Sequence, residues 1–201
     1  ARAARRAAAG FADEDPVVFA AGRFVRKKGF EYLIDAIAEV ARHHRAVRLV
    51  LGGSGDLEAE LRERAAARGV LDRVRFPGVL GHGEVAEWLA AADVAVVPSV
   101  RDDAGNVDGL PNVVMEALAS ATPLVATRAG GIGAVADDGH TALLVAERDP
   151  APLAAAIGRL LDEPALRARI GAEARRGILA EHSWARVAGR FEAAYEAAAA
   201  R

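Results

Sequence analysis

Six short, largely apolar runs that do not sustain a polar-apolar alternation restrict the folds open to this chain more than any other feature. They are Val17–Ala21, Val47–Leu51, Val74–Phe76, Val94–Val97, Leu124–Thr127 and Ala142–Val145. A strand with one wet face alternates; a run that stays apolar suits a strand covered on both faces. Helix-length segments separate the runs, at Gly29–His44, Asp56–Arg68, Gly83–Ala92 and Pro111–Ser120. More follow the last run, at Pro152–Leu161, Pro164–Glu181 and Ser183–Ala200, with Gly69, Gly139 and Asp149-Pro150 marking breaks. This order predicts an α/β fold, a doubly wound parallel sheet of six strands with helices on both faces. One domain is expected over residues 16–201. Residues 1–15 read as a linker or frayed segment, with Arg2, Arg5 and Arg6 on a solvated face.

Composition narrows the function classes. At 52% hydrophobic and 27% charged, the 201-residue chain has a globular balance and enough length for a full core. Its net charge of −2, with no block of like charge beyond the first arginines, makes no case for nucleic acid. Without cysteine, disulfides and thiolate sites are excluded, which fits a reducing compartment. No apolar run approaches the ~18 residues of a membrane span. A cytoplasmic location is expected, free or peripheral at a membrane.

Doubly wound sheets bind ligands beyond the carboxyl ends of their strands, where the strand order reverses. In the usual order that place lies between the first and fourth strands. The loop after the first run carries Arg23, Lys27 and Lys28, the two lysines being the only ones in the chain. The loop after the fourth leads into Asp108–Thr127, DGLPNVVMEALASATPLVAT. Two motifs thus converge on one place.

The second motif reads as a nucleotide-sugar cradle. Pro111 suits the first helical position and brings no N–H of its own. Leu110 has no side-chain oxygen to cap the turn, so the N–H groups of Asn112 and Val113 are open to an anion. Glu116 lies five residues into that helix, roughly 7–8 Å along the axis. That is about the span from a nucleotide's pyrophosphate to its ribose, whose hydroxyls a carboxylate can accept. Asp108 stands at the opposite, sugar-bearing end.

Other motifs read more plainly. Gly52-Gly53-Ser54-Gly55-Asp56 lacks the third glycine of a dinucleotide fingerprint and follows the second strand, so a turn with Asp56 capping the next helix is expected. Asp102-Asp103 has no nearby histidine or third carboxylate, which predicts solvated loop acids and no metal site. The five histidines lack metal spacing and a serine or cysteine partner.

Taken in order, GRFVRKKG, LVLGGSGDLE, VRFPGVL, ADVAVVPS, GLPNVVMEALASATPLVAT and AGGIGAVADDGHTALLV resemble the family 4 retaining glycosyltransferases (glycosyl transferases group 1, GT-B fold). Asp108 and Glu116, with seven residues between them, are similar to that family's E-x7-E signature. The resemblance runs from about Val17 to the end. It implies that the chain is the C-terminal, donor-holding half of a pair of Rossmann-like domains, without the acceptor domain. It further implies a sugar carried from a nucleoside diphosphate to an acceptor hydroxyl, with retention and without metal or cofactor.

By the same resemblance, Arg23 and Lys28 hold the diphosphate and Lys27 faces solvent. Gly53 plays a minor part beside the donor, and the backbone near Val79 and Leu80 meets the nucleobase. Asp108, Gly109 and Leu110 face the sugar and β-phosphate. Pro111, Asn112 and Val113 assist at the helix start, Glu116 takes the ribose, and Gly130-Gly131 shapes the cleft wall. The family's helix that here begins at Trp184 crosses to the acceptor domain; alone, its apolar face invites self-association. UDP-sugar is slightly favoured over GDP-sugar, and the acceptor is a sugar, glycan or lipid-linked group reached through the other domain.

The chain departs from the pattern at Asp108, one methylene shorter than Glu, and at Gly133-Ala134, where Pro-Glu is usual. The isolated half is expected to be inactive in transfer. The rival readings are a non-catalytic nucleotide-sugar module and a sugar-nucleotide epimerase of the same architecture.

Overall fold

Val17 and Phe19 point to one side of the central strand, Val18 and Ala20 to the other, and all four are fully buried. That is why the apolar runs do not alternate. The computed structural model describes residues 2–182 and 184–199. The elements in chain order are α1 (Arg2–Ala8), β1 (Val17–Ala21), α2 (Phe30–Val40), β2 (Arg48–Gly52), α3 (Glu58–Ala67), β3 (Val74–Arg75) and α4 (His82–Ala91). They continue with β4 (Val94–Val97), α5 (Asn112–Ala119), β5 (Leu124–Thr127), β6 (Leu143–Val145), α6 (Pro150–Asp162), α7 (Pro164–Glu181) and α8 (Trp184–Ala199).

All six strands are parallel, in the order β3-β2-β1-β4-β5-β6. Val18 pairs with Leu49 on one side and with Val94 on the other, so the order reverses between β1 and β4. Helices cover both faces. On one, Leu33, Ile34 and Ile37 of α2 and Leu153, Ile157 and Leu160 of α6 pack on Val18, Leu49 and Leu51. On the other, Trp88 and Leu89 of α4, Val114 and Leu118 of α5 and Ile178 of α7 pack on Val17, Phe19 and Val50. Burying each such side chain stabilises the fold by about 1.5–3 kcal/mol.

Local chemistry moves several boundaries. Helix α6 starts at Pro150 rather than Pro152, because the Asp149 carboxylate accepts the Ala151 N–H and Pro150 fits the first turn. Asp56 does not cap α3. That helix begins at Glu58, with Leu57 at the cap position and no side-chain cap bond.

The opening arginines do not form a solvated face. Helix α1 packs on α4, and Arg6 is 1% exposed. Its guanidinium meets Asp93 Oδ2 at 2.7 Å and the carbonyls of Ala91, Asp13 and Asp15. Asp93 also accepts the Val17 N–H at 2.8 Å and pairs with Arg2 at 2.6 Å. Burial raises the Asp93 pKa, and these partners outweigh it, so the carboxyl sits below its ordinary range. Arg5 lies over the Trp88 ring. A buried acid elsewhere in the chain turned surface-looking arginines into anchors.

Helix α8 presents Phe191 and Tyr195 to solvent, 60% and 72% exposed, with rings stacked 6.5 Å apart. Ser183, Ala200 and the Trp184 side chain, all part of the expected last helix, lie outside the described residues. Among the described residues no helix is long and apolar enough to cross a membrane.

Candidate functional site

The loops that leave β1, β2 and β3 are stitched together by their backbones. Gly22 N–H donates to Gly52 O, Phe24 N–H to Ser54 O and Gly53 N–H to Gly78 O, at 2.7–3.0 Å. Gly53 has φ 135°, and a Cβ there would stand 1.9 Å from the Gly22 carbonyl oxygen. Its glycine is therefore explained by loop-to-loop approach. Phe24 is fully buried and meets Phe30 and Phe76 edge-on. That plug fixes the loop carrying Arg23 and Lys28 on either side of it.

Across the reversal point, α5 starts one residue later than expected. Pro111 has φ −64° and ψ 130°, so it is the cap residue and Asn112 the first helical one. An extended ψ at Pro111 lets the chain turn sharply off the β4 loop. The first closed bond runs from Val114 N–H to Pro111 O, leaving the Asn112 and Val113 amides at the mouth.

These elements enclose a cleft of about 340 Å³. It is lined by Arg23 and Lys28 from the β1 loop, Gly53 from the β2 loop and Val79 and Leu80 from the β3 loop. Pro111, Asn112, Val113 and Glu116 supply the facing wall. The Glu116 side chain is 35% exposed and stands in the wall with its Oε1 3.8 Å from His82 Nδ1. His82 opens α4, where the Glu84 carboxylate accepts the Gly81 N–H. It was not anticipated as part of the site; its position directly after Val79-Leu80-Gly81 was the available signal.

Asp108, Gly109 and Leu110 stand outside that lining. The Asp108 side chain is 12% exposed and is claimed by both lysines, Lys28 Nζ at 2.6 Å and Lys27 Nζ at 3.1 Å. Ser99 Oγ approaches it at 3.5 Å. Lys27 therefore does not face solvent as a free cation; Asp108 draws it inward. Burial raises the Asp108 pKa, but the hydrogen bonds from Lys28 and Lys27 more than offset this, so the carboxyl lies below its ordinary value. Gly131 N–H donates to Gly109 O, so the Gly130-Gly131 turn supports the Asp108–Gly109 backbone from behind.

The acidic pair Asp102-Asp103 is otherwise engaged. Asp102 accepts the Ala104 and Asn106 amides, and Asp103 pairs with Arg148 at 2.9 Å. The cleft itself offers two cations (Arg23, Lys28) and one carboxylate (Glu116), while Lys27 and Asp108 pair with each other outside its lining. With a helix start alongside, the arrangement suits an anion carrying a polar group within reach of Glu116.

Residues 1–177 match the family described as glycosyl transferases group 1, and the chain belongs to it. It is 33% identical to the α-D-kanosaminyltransferase of Streptomyces kanamyceticus over 162 residues, 81% of this chain and 40% of that protein. Among solved structures it is similar to the sucrose-phosphate synthase of Thermosynechococcus elongatus (32% identity, TM-score 0.83, 98% of this chain and 49% of that one). It is also similar in fold to the Anabaena HepE protein in complex with UDP (21% identity, TM-score 0.86, 97% of this chain and 52% of that one). The six-stranded parallel sheet is the Rossmann-like unit of GT-B glycosyltransferases. The chain spans less than half the length of the curated relatives it matches.

Proposed function

We propose that this chain is the donor-binding half of a retaining, metal-independent glycosyltransferase. It would move a hexosyl group from a nucleoside diphosphate to an acceptor hydroxyl. Arg23 and Lys28 meet the diphosphate, helped by the Asn112 and Val113 amides at the helix start behind Pro111. Glu116 accepts the ribose hydroxyls. The backbone at Val79 and Leu80 borders the base, and Gly53 keeps the β2 loop close beside it. Asp108, with the Gly109-Leu110 backbone, faces the sugar and β-phosphate. The protein's catalytic contribution is to orient the donor and stabilise negative charge developing on the departing diphosphate. Two side-chain cations and a helix start supply that charge directly, which is why the reading needs no metal.

The observation that carries this reading is the convergence of Arg23, Lys28, the α5 start and Glu116 on one cleft at the strand-order reversal. The UDP held by the similarly folded HepE supports a nucleotide-sugar donor, and the family resemblance slightly favours a uridine one. Retention rests on the acid pair Asp108 and Glu116, spaced as in the resembling family. A cytoplasmic or membrane-peripheral setting and an acceptor reached through a second domain belong to the same proposal. So does self-association through the Phe191 and Tyr195 face of α8, whose exposed rings favour cover.

The test is calorimetric titration of this chain with UDP, GDP and ADP, with and without EDTA. Selective binding of UDP that EDTA leaves unchanged is expected. Binding lost on chelation would end the metal-independent reading, and no binding to any nucleotide would end the donor-site reading.

A further inference from the structure

Lys27 has no part in the grip on the diphosphate described above, yet its backbone is clamped in place. Its carbonyl accepts the Val100 N–H at 2.9 Å, just past the end of β4. Two residues on, a Cβ at Gly29 would stand 2.0 Å from the Pro98 carbonyl oxygen, so the segment is pressed against that strand end. From this clamp Lys27 reaches Asp108 Oδ1 while Lys28 reaches Oδ2. The two ammoniums divide the oxygens of one largely buried carboxylate, and of the two only Lys28 also lines the cleft.

A diphosphate in the cleft competes with Asp108 for Lys28. Once that ammonium turns away, Asp108 would be a buried carboxylate beside added negative charge, a costly arrangement without a partner. Resting on the donor-site reading above, we propose that Lys27 is a positioning residue. It is the standing counter-ion that keeps Asp108 ionised and in place while Lys28 passes from Asp108 to the diphosphate.

The surroundings of Asp108 support this. The β1 loop brings Lys27 and Lys28. The β4 loop brings the Ser99 hydroxyl and, acting on Lys27, the Asp102 carboxylate. The loop after β5 approaches with the backbone of Gly130. Burial pushes the Asp108 carboxyl toward its neutral form, and the hydrogen bonds from Lys28 and Lys27 reverse that. With Lys27 gone and Lys28 on the diphosphate, only the long Ser99 hydroxyl contact opposes burial, and Asp108 takes a proton from solvent onto a carboxyl oxygen.

The experiment titrates UDP, with GDP in parallel, into the 201-residue chain and into Lys27→Met, Lys27→Arg and Lys28→Met, in buffers of different ionisation enthalpy. At about pH 7, Lys27→Met should bind about tenfold more weakly, the factor of one pKa unit. It should take up protons beyond the wild-type value, so that its affinity recovers as the pH is lowered. Lys27→Arg should restore both affinity and proton balance. A Lys27→Met variant that matches the wild type in affinity and proton uptake overturns the proposal. In that case, loss of binding in Lys28→Met would leave the donor-site reading standing, whereas a wild-type chain that binds neither nucleotide removes both.

Discussion

Gly130 lies so close to Asp108 that a Cβ on it would stand 1.9 Å from the Asp108 carbonyl oxygen. Its φ of 57° adds a second demand for glycine. The loop after β5 thus sets the height of the backbone that carries the first acid of the site.

Gly130→Ala is therefore expected to destabilise the fold by about 1–3 kcal/mol, the range for a non-glycine residue held in a sparsely populated backbone region. The displaced Asp108 should also lower nucleotide affinity. Urea unfolding and UDP calorimetry on the same preparation check both. Wild-type values in each would show that the turn yields freely and does not set the Asp108 backbone.

Glu116 stands in the cleft wall at 35% exposure, 3.8 Å from the exposed His82. Removing it leaves no buried partner stranded. Glu116→Ala should keep the far-UV circular dichroism and unfolding midpoint of the wild type. Its nucleotide affinity should fall by about 1.5–3 kcal/mol, the worth of hydrogen bonds to a charged group. A folded variant with unchanged affinity would contradict the ribose assignment.

Arg6 and Asp93 form a buried pair that ties α1 to the start of β1. Arg6→Ala should destabilise the fold by up to about 3–5 kcal/mol in urea unfolding, since it removes the buried partner of Asp93 and leaves it the half-exposed Arg2 and the Val17 N–H. The pair also sets an acid dependence. The Asp93 carboxyl is depressed in the folded chain, so its contribution is fully present above the unfolded value of about 3.9. It is lost as pH falls through the folded value. The stability difference between wild type and Asp93→Asn should therefore be constant near neutrality and shrink below about pH 4. A difference that persists undiminished in acid would show that Asp93 is not held in its charged form.

Much of the framework could be read from the chain. The Pro164–Glu181 helix and three strands, Val17–Ala21, Val94–Val97 and Leu124–Thr127, occur with the boundaries their apolar patterns indicate. Strand β2 sits one residue later than expected, with Gly52 continuing the ladder opposite Ala21. Helix α2 stops at Val40, four residues early, where the chain turns through Arg42 and His43. Grouping Arg23, Lys28 and Glu116 at one end of the sheet followed from topology alone, because their loops leave strands that flank the reversal point.

Period, propensity and strand order act over a few residues or follow from the handedness of the βα unit, so the sequence by itself determined the sheet, its covering helices and the edge where the cleft opens. The partners of individual charges were decided only by the tertiary structure. Arg6 meets Asp93 from 87 positions away, Lys27 turns inward to Asp108, and Gly53 and Gly130 are glycines because another loop's carbonyl occupies the space of a side chain. A charge or a glycine reads locally as surface or turn; what it does depends on which distant group the fold brings within about 3 Å, the range of a hydrogen bond.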